Sequence, residues 1–400
     1  MTDPALLGLL GGSPTQSGVS VTEESALSIG AVWRAVSLIA GTIGALPLEV
    51  FEIGTRKKLT VRGLDFIDAG AQTPFEVWET TVVHLLLWGN AYVLKVRDAS
   101  GRIIRLIPIH PARVTVKIDS DPVLGAVKVF VVADVAGLSF VPYTSFEIMH
   151  IPGLNYDGIS GLPPVALARE SFGVAKAAES MAAKLFGNGA LLSGILTTTA
   201  QIDQEQSDTL KKRWREKIAG AQHGYDIAIL DNGATFQSLT MPMADAQWIE
   251  GRTFQVEEIA RWFGIPPAML GEVSKHASQG GGNGMEAQNL GFVQHTLTPW
   301  IARIEQRVRS EVLSNPRGQV ARFNMAELLR GDMATRYTAY ATAVGRPFMA
   351  GNEARDAENL APLPGLDVVA EAANTAGVPT GSKSPSDPTD SSEPAAADAA

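Results

Sequence analysis

The stretch Asp245–Leu313 limits the folds open to this chain more than any other, because two helical patterns there flank a segment with little to bury. Ile249, Val256, Ile259, Ala260 and Phe263 recur at helical spacing. Asp245 supports the positive N-terminal end of that helix, and Glu257 and Arg261 stand four residues apart, as a favourable ion pair does. Gly264 followed by Pro266 and Pro267 stops it. Beyond Leu270, the segment Glu272–Gly284 is polar and four of its last five residues are glycine, so it cannot bury enough to fix one conformation. A second helix then places Val293, Leu297, Ile301, Ile304, Val308 and Val312 on one stripe. Pro299 lies inside that stripe; it removes the amide donor to His295 and clashes there, which predicts a kink. A loop of this kind lacks the rigidity that catalysis needs and suits a surface that something slides past.

The elements before it divide into a β-rich half and a helical half. Residues 1–24 read as a flexible start. Ser28–Leu46 reads as a mostly apolar helix, Leu48–Ile53 as a strand, and Thr73-Pro74-Phe75-Glu76 as a capping box opening a helix through Trp88. Tyr92–Arg97, Ile103–Ile107, Arg113–Ile118, Val127–Val132 and Phe146–Ile151 read as strands. A boundary is expected near Pro152–Pro163, followed by a long Ala-rich helix from Pro164 to Phe186 and a short strand at Ile195–Thr198. Asp203 caps a helix through Ile218, and Tyr225–Leu230 and Ala234–Leu239 flank Asp231-Asn232-Gly233, a strong hairpin signal. After the central helices come a strand at Val320–Phe323 and helices at Asp332–Val344 and Asn352–Asn359. From Asn374 to Ala400 the composition has almost nothing to bury and reads as disordered.

Several chemistries are excluded or weakened. With no cysteine, thiolate nucleophiles, thiolate metal sites and disulfides are out. The six histidines form no HExxH or other i,i+4 pair, so no metal is expected, and His84 reads as a core residue. There is no GxSxG elbow and no Walker A sequence. Gly282–Ala287 formally matches GxGxxA, but Ser274–Gln279 ahead of it is not a strand, so a nucleotide-binding enzyme is the weaker alternative. Lys211, Lys212, Arg213, Arg215 and Lys217 form a basic cluster that could serve a DNA-binding module, although Glu205, Asp208 and Glu216 interleave as on a solvated face. Trp33, Trp78, Trp88 and Trp262 fall on helical patterns and are expected in the core. A formal charge of −9 argues against tight gripping of phosphates, though not against a conduit that must not stick. The start shows no basic signal-peptide region, and the longest uncharged apolar run, Ala35–Leu48, has 14 residues, short for a membrane span.

The pieces AVWRAVSLIAGTIGALPLEVFE, LLLWGNAYVLKVRDASGRIIRLIPIHPARVTV, HIPGLNYDGISGLPPVALA, FGNGALLSGIL, WFGIPPAMLG and NEARDAENLAPLPGLD follow one another over roughly residues 25–367 in an order that resembles the portal proteins of tailed bacteriophages. The resemblance implies an α+β subunit with a β-rich wing, a helical stem carrying a β-hairpin clip, a Gly-rich tunnel loop and a kinked long helix, assembled into a ring of about a dozen copies. On this sequence it implies a wing over 25–162, a connecting helix and strand over 163–202, stem helices with the clip at 225–239 over 203–264, a turn and tunnel loop over 265–284, and a kinked helix and C-terminal wing or crown over 285–367; the tail over 368–400 follows no family pattern, and composition alone makes it disordered. The stem helices would be Asp203–Ala219 and Asp245–Phe263. Ser274, Lys275, His276, Ser278, Gln279, Gly280, Gly281, Gly282 and Asn283 would face the channel, and Tyr225, Asp231, Asn232 and Gly233 would form the clip that docks the motor. The implied function is structural and non-enzymatic, without a cofactor: a virion conduit at the capsid vertex for packaging and ejection of double-stranded DNA, assembled in the host cytoplasm. Its implied partners are further copies of itself, DNA in transit, the terminase packaging motor, the major capsid protein and a head–tail adaptor, and no membrane.

Overall fold

Thr22 opens the first helix, α1 (Glu23–Ala26), through a capping box: its hydroxyl accepts the Ser25 amide while Ser25 Oγ accepts the Thr22 amide. The structure, a computed structural model, describes residues 15–55, 57–61, 64, 72–121, 125–187, 194–197, 203–205, 208, 209, 212, 235–238, 245–271, 287–325, 333–344, 348–358 and 360–369. The chain divides into two units, Met1–Met325 and Ala326–Ala400.

In the first unit, α2 (Gly30–Ala45) buries Val32, Ala35, Val36, Ile39, Ala40 and Ile43. Strands β1 (Leu48–Glu52) and β2 (Lys58–Leu59) come after it, then α3 (Pro74–Trp88), whose Thr73–Glu76 capping box and N-terminal Pro74 are as the sequence predicts. Gly44 lets α2 approach α3 closely, since a Cβ there would press on the Phe75 carbonyl and on Glu79 at 3.1–3.3 Å. Next come β3 (Asn90–Arg97), β4 (Ile103–Ile109), β5 (Val114–Asp121), β6 (Gly125–Ala133), β7 (Phe140–Thr144) and β8 (Ile148–Pro152). The unit continues with α4 (Pro164–Gly187), β9 (Gly194–Thr197), β10 (Thr235–Ser238), α5 (Asp245–Phe263), α6 (Thr298–Glu311) and β11 (Gln319–Phe323).

The described strands pair antiparallel in four sheets, ordered β11-β1-β2, β4-β3-β8, β5-β6-β7 and β10-β9. Tyr92 and Ile148 from the second sheet and Phe130 and Val132 from the third share one core, so these two sheets pack face to face. Strand β7 has no counterpart in the sequence reading, because Pro142 and its mostly exposed side chains suit only an edge position. The strand expected from Phe146 begins instead at Ile148. Phe146 turns outward, and the Arg97 guanidinium lies 4.0 Å from its ring centroid.

Helix α6 closes this unit over the sheets. Its buried Glu305 accepts from Arg322 Nη1 at 2.7 Å and from the Phe323 amide at 2.8 Å, fixing β11 against the helix. Lys95 of β3 reaches Glu311 at 3.1 Å and the Ser145 carbonyl at 2.7 Å. Burial draws the Lys95 ammonium below its usual pKa, and Glu311 opposes the shift.

The lead-in to α4 is clamped on the start of β3. Asn90 Oδ1 accepts the Gly161 amide at 2.7 Å and His150 Nε2–H at 3.0 Å, while Asn90 Nδ2 donates to Gly161 O at 2.8 Å and to Trp88 O at 3.2 Å. The Gly153 amide donates to Gly89 O at 2.8 Å. A Cβ on Gly161 would collide with that same Gly89 carbonyl. Lys128 Nζ donates to Gly158 O and Ile159 O, both at 2.8 Å, and Arg303 to Gly153 O at 3.0 Å, so two cations hold the intervening loop.

His84, in the middle of α3, is buried as expected. Trp78 is also in the core, but Trp33 is 61% exposed and Trp262 is 45% exposed, contrary to the sequence reading. Helical spacing in a helix as apolar as α2 does not say which side faces inward.

The second unit contains α7 (Met333–Val344) and α8 (Gly351–Ala357). NEARDAENLAPLPGLD closes on itself there. Asn352 Nδ2 donates to Leu363 O at 2.9 Å and to Asp367 Oδ1 at 2.7 Å, its amide donates to Leu366 O, and Ala350 bridges Val369.

Candidate functional site

Helix α5 forms as its periodicity predicts and buries Ile259, Ala260 and Phe263, leaving Glu250, Phe254, Arg261 and Trp262 outward. Arg261 pairs with Glu258, three residues back, rather than with the expected Glu257; both spacings are neighbours on a helix. The helix lies along α4. The Phe172 and Phe263 rings stack with centroids 6.3 Å apart and 8° between planes, and Arg252 faces Glu179 at 3.6 Å. The pairing order, later residues of α4 with earlier residues of α5, makes the two helices antiparallel. Residues 188–244 are therefore inserted where α4 ends and α5 begins. Within that insertion β9 pairs with β10, Thr197 opposite Thr235 and Gly194 opposite Ser238. The second arm of the expected hairpin thus exists as β10, and its described partner is β9. Tyr225, Asp231, Asn232 and Gly233 lie outside the described residues, as does Asp203–Ala219 apart from 203–205, 208, 209 and 212.

The other end of α5 is a pinned corner. Gly264 takes φ 66°, the Ile265 amide reaches back to Ala260 O at 2.9 Å, and Pro267–Leu270 makes one 3-10 turn ending on Gly271 at φ 94°. Thr296 Oγ1 donates to Gly264 O, and Arg34 Nε to Met269 O at 3.3 Å, tying WFGIPPAMLG to the helix ahead and to α2. Ser274, Lys275, His276, Ser278, Gln279, Gly280, Gly281, Gly282 and Asn283 lie outside the described residues; of Gly282–Ala287 only Ala287 is described.

The chain returns as a helix at 287–291 and passes through a π-helical turn, Phe292–Leu297, into α6. This turn is the form the Pro299 distortion takes. Pro299 offers no amide to the ladder, and the Thr298 amide reaches five residues back to Val293 O, with Thr298 Oγ1 on the same carbonyl at 2.8 Å. The extra residue in the turn does not break the stripe: Val293, Leu297, Ile301, Ile304, Val308 and Val312 are all buried. Sequence reasoning missed the π turn, although a Thr directly before a mid-helix Pro is its one visible signal.

Two fixed ends thus bracket residues 272–286, and α5, about 28 Å long at 1.5 Å per residue, separates them from the 188–244 insertion. Among the described residues, no three His, Cys, Asp or Glu side chains are gathered as a metal site would need, and no helix is long and apolar enough to cross a membrane.

A family model described as phage portal protein matches residues 30–359. The portal protein of Enterobacteria phage HK97 is 35% identical over 360 residues, spanning 87% of this chain and 82% of its own. A probable portal protein of Streptomyces phage phiC31 is 32% identical over 374 residues, spanning 90% and 80%. Among solved structures, an HK97 family phage portal protein from Corynebacterium diphtheriae aligns with a TM-score of 0.57 at 23% identity, over 76% of this chain and 96% of that one. A chain in the neck of a native gene transfer agent particle, computed with C12 symmetry, aligns with a TM-score of 0.55 at 21% identity, over 85% and 94%.

Proposed function

Because the chain belongs to the phage portal protein family, we propose that it is the subunit of a ring of about a dozen copies at the capsid vertex, a conduit through which double-stranded DNA is packaged and ejected. The observation that carries the mechanism is the antiparallel pair α4–α5, with an inserted segment at one end and a polar, glycine-rich segment at the other. In this reading α4, in place of the expected Asp203–Ala219, forms the stem with α5, the clip that meets the terminase motor widens from 225–239 to residues 188–244 with the β9–β10 pair, and Glu272–Gly284 lines the channel. Strand edges on the clip offer main-chain pairing to a neighbouring subunit without demanding particular side chains. The β-rich sheets form the wing towards the capsid protein, and an adaptor joins the ring after packaging. Assembly takes place in the host cytoplasm and the finished ring resides in the virion.

A conduit has to touch DNA without holding it. The net charge of −9 limits phosphate gripping, and Lys275 and His276 offer at most weak, salt-screened contacts in the channel segment. Native mass measurement at micromolar protein should show a closed species of about a dozen subunits. A protein that stays monomeric at every salt concentration would remove the premise.

A separate test isolates the channel segment. Deleting Gln279–Gly282 removes no apolar stripe residue, and loop length acts weakly on stability, so the ring should form with unchanged mass. In complemented phage the same deletion should impair packaging or retention of DNA. Full-length genomes packaged and held at normal yield would mean that the segment has no role in transit.

A further inference from the structure

We infer that the apolar tip of the β6–β7 hairpin anchors the contact between neighbouring copies of this chain, seated in a pocket on the β1–β11 sheet of the next subunit. The inference rests on the ring reading above. The tip is a rigid turn. The Asp134 amide donates to Ser139 O at 2.9 Å and the Gly137 amide to Asp134 O at 3.1 Å. Asp134 Oδ1 accepts the Leu138 amide at 2.8 Å, its Oδ2 accepts Ser139 Oγ at 2.9 Å, and Gly137 takes φ 71°. Asp134, Gly137 and Ser139 thus supply all the chemistry that the turn needs. Val135, Leu138 and Phe140 supply none of it, yet they are 91%, 84% and 65% exposed. One exposed leucine is ordinary, but three large apolar side chains gathered on a fixed turn are a preformed anchor for a partner.

The partner is a second copy because the same chain carries the matching hollow. Phe51, Ile53, Gly54 and Val320 wall a cavity of about 620 Å³, with Glu52 and Arg322 also lining it. Apolar walls with a few charged groups resemble the apolar core and polar rim of a protein contact. A ring of a dozen copies closes through a heterologous contact, so each subunit must bear two different surfaces that complement one another. The knob and the hollow stand in separate layers. Tyr92 and Ile148 face the knob's sheet, whereas Lys95, three residues on and so on the opposite face of β3, reaches Glu311 of α6. Glu305 of α6 in turn holds β11, a wall of the hollow. Sheet β4-β3-β8 and α6 therefore lie between the two features, which favours a neighbour's hollow over the subunit's own.

Because the chain holds no cysteine, paired substitutions report this contact directly. A disulfide forms only where the two Cα atoms come within about 7 Å. Full-length protein carrying Leu138→Cys and Ile53→Cys, mildly oxidised, should link subunits several-fold faster than Leu154→Cys with Ile53→Cys, a control on a loop residue that is 68% exposed. The ladder of linked chains should run up to the subunit number of the ring, since every copy offers both halves. Leu138→Cys alone should stay unlinked. A second variant, Val135→Asp with Leu138→Asp, removes no buried side chain, so it should melt like the parent yet need at least tenfold more protein to form rings. Linking no faster than in the control, disulfides confined within one chain, self-linking of Leu138→Cys, or rings of the aspartate variant at the parental concentration would each overturn the inference. Native mass of the same proteins under reduction separates this failure from that of the ring reading. A dozen-copy species without the links sinks only the knob contact, whereas a chain monomeric at every salt concentration sinks both.

Discussion

Acidification from pH 7 to pH 5 should cost the first unit about 3–4 kcal/mol of stability, and two buried histidines account for most of it. Burial lowers the His84 pKa to about 4, with His110 nearby adding to the effect. Burial lowers the His150 pKa to about 3, with Lys128 and Arg307 adding to it. Both rings lie in the core, and among the described residues Nδ1 of each has no hydrogen-bond partner. The tautomer of His150 is set by its neighbour: Asn90 Oδ1 can only accept, so Nε2 carries the proton. An unfolded histidine titrates at about 6.5, so between pH 6.5 and the folded values the unfolded chain binds more protons. The stabilisation is complete above pH 6.5 and declines as the pH falls towards 4 for His84 and towards 3 for His150. The lowered carboxylate of Asp98, at about 2, titrates below this window and leaves pH 5–7 to the histidines. Denaturant unfolding at fixed subunit concentration measures the loss. His84→Phe keeps an aromatic ring beside Trp88 and His110 without the titration, and should cut the loss by roughly half. Equal stability at the two pH values, or the same loss in the variant, would refute the assignment.

Both histidines are visible in the sequence, and helical periodicity places His84 correctly in a core helix, but their coupling to particular partners is not visible there. Spacing along a chain reports which residues share a helix face or a strand side. It does not report that Asn90 and Gly161, 71 positions apart, meet in a buried hydrogen bond. For the same reason Lys95 and Glu311 give no signal as a pair, since each by itself looks like an ordinary charged residue on a strand or helix. What periodicity can carry, it carries well. Helix α5 starts and stops at Asp245 and Phe263 as its pattern predicts, the Thr73–Glu76 box caps α3, and the six-residue stripe through Pro299 is buried. The failures lie where local rules leave a choice open. Edge strand β7 depends on an available partner rather than on its own composition, and a proline inside a helix can be absorbed by a π turn as well as by a sharp bend. Of the candidate site, the frame is legible because it is helical. The bracketed segment is legible only as composition.

The buried amide of Asn90 should prove one of the most sensitive positions in the first unit. It joins three segments: the end of α3, strand β8 and the turn into α4. Asn90→Ala would leave the Gly161 amide and His150 Nε2–H without acceptors, and the Gly161 and Trp88 carbonyls without the Asn90 donor. At about 1–3 kcal/mol for each buried group left unpaired, the two donors alone cost on the order of 4 kcal/mol. The gap cannot close by collapse, because the Gly89 carbonyl already holds the Gly153 amide and lies against Gly161. Gly161→Ala should be as damaging through the opposite defect, a methyl group driven into backbone that has nowhere to move. The contrast is Asn155→Ala, in the same lead-in, whose bonds to Gly153 O at 3.4 Å and from the Gly158 amide at 3.2 Å are long and partly solvated. That variant should lose no more than about 1 kcal/mol. At roughly 1–2 °C per kcal/mol for a unit of this size, Asn90→Ala should melt about 6 °C lower, and Asn155→Ala within about 2 °C of the parent. Should the two variants melt together, the clamp is not what joins the sheets to α4, and the two cations Lys128 and Arg303 that grip the same loop would have to be doing so instead.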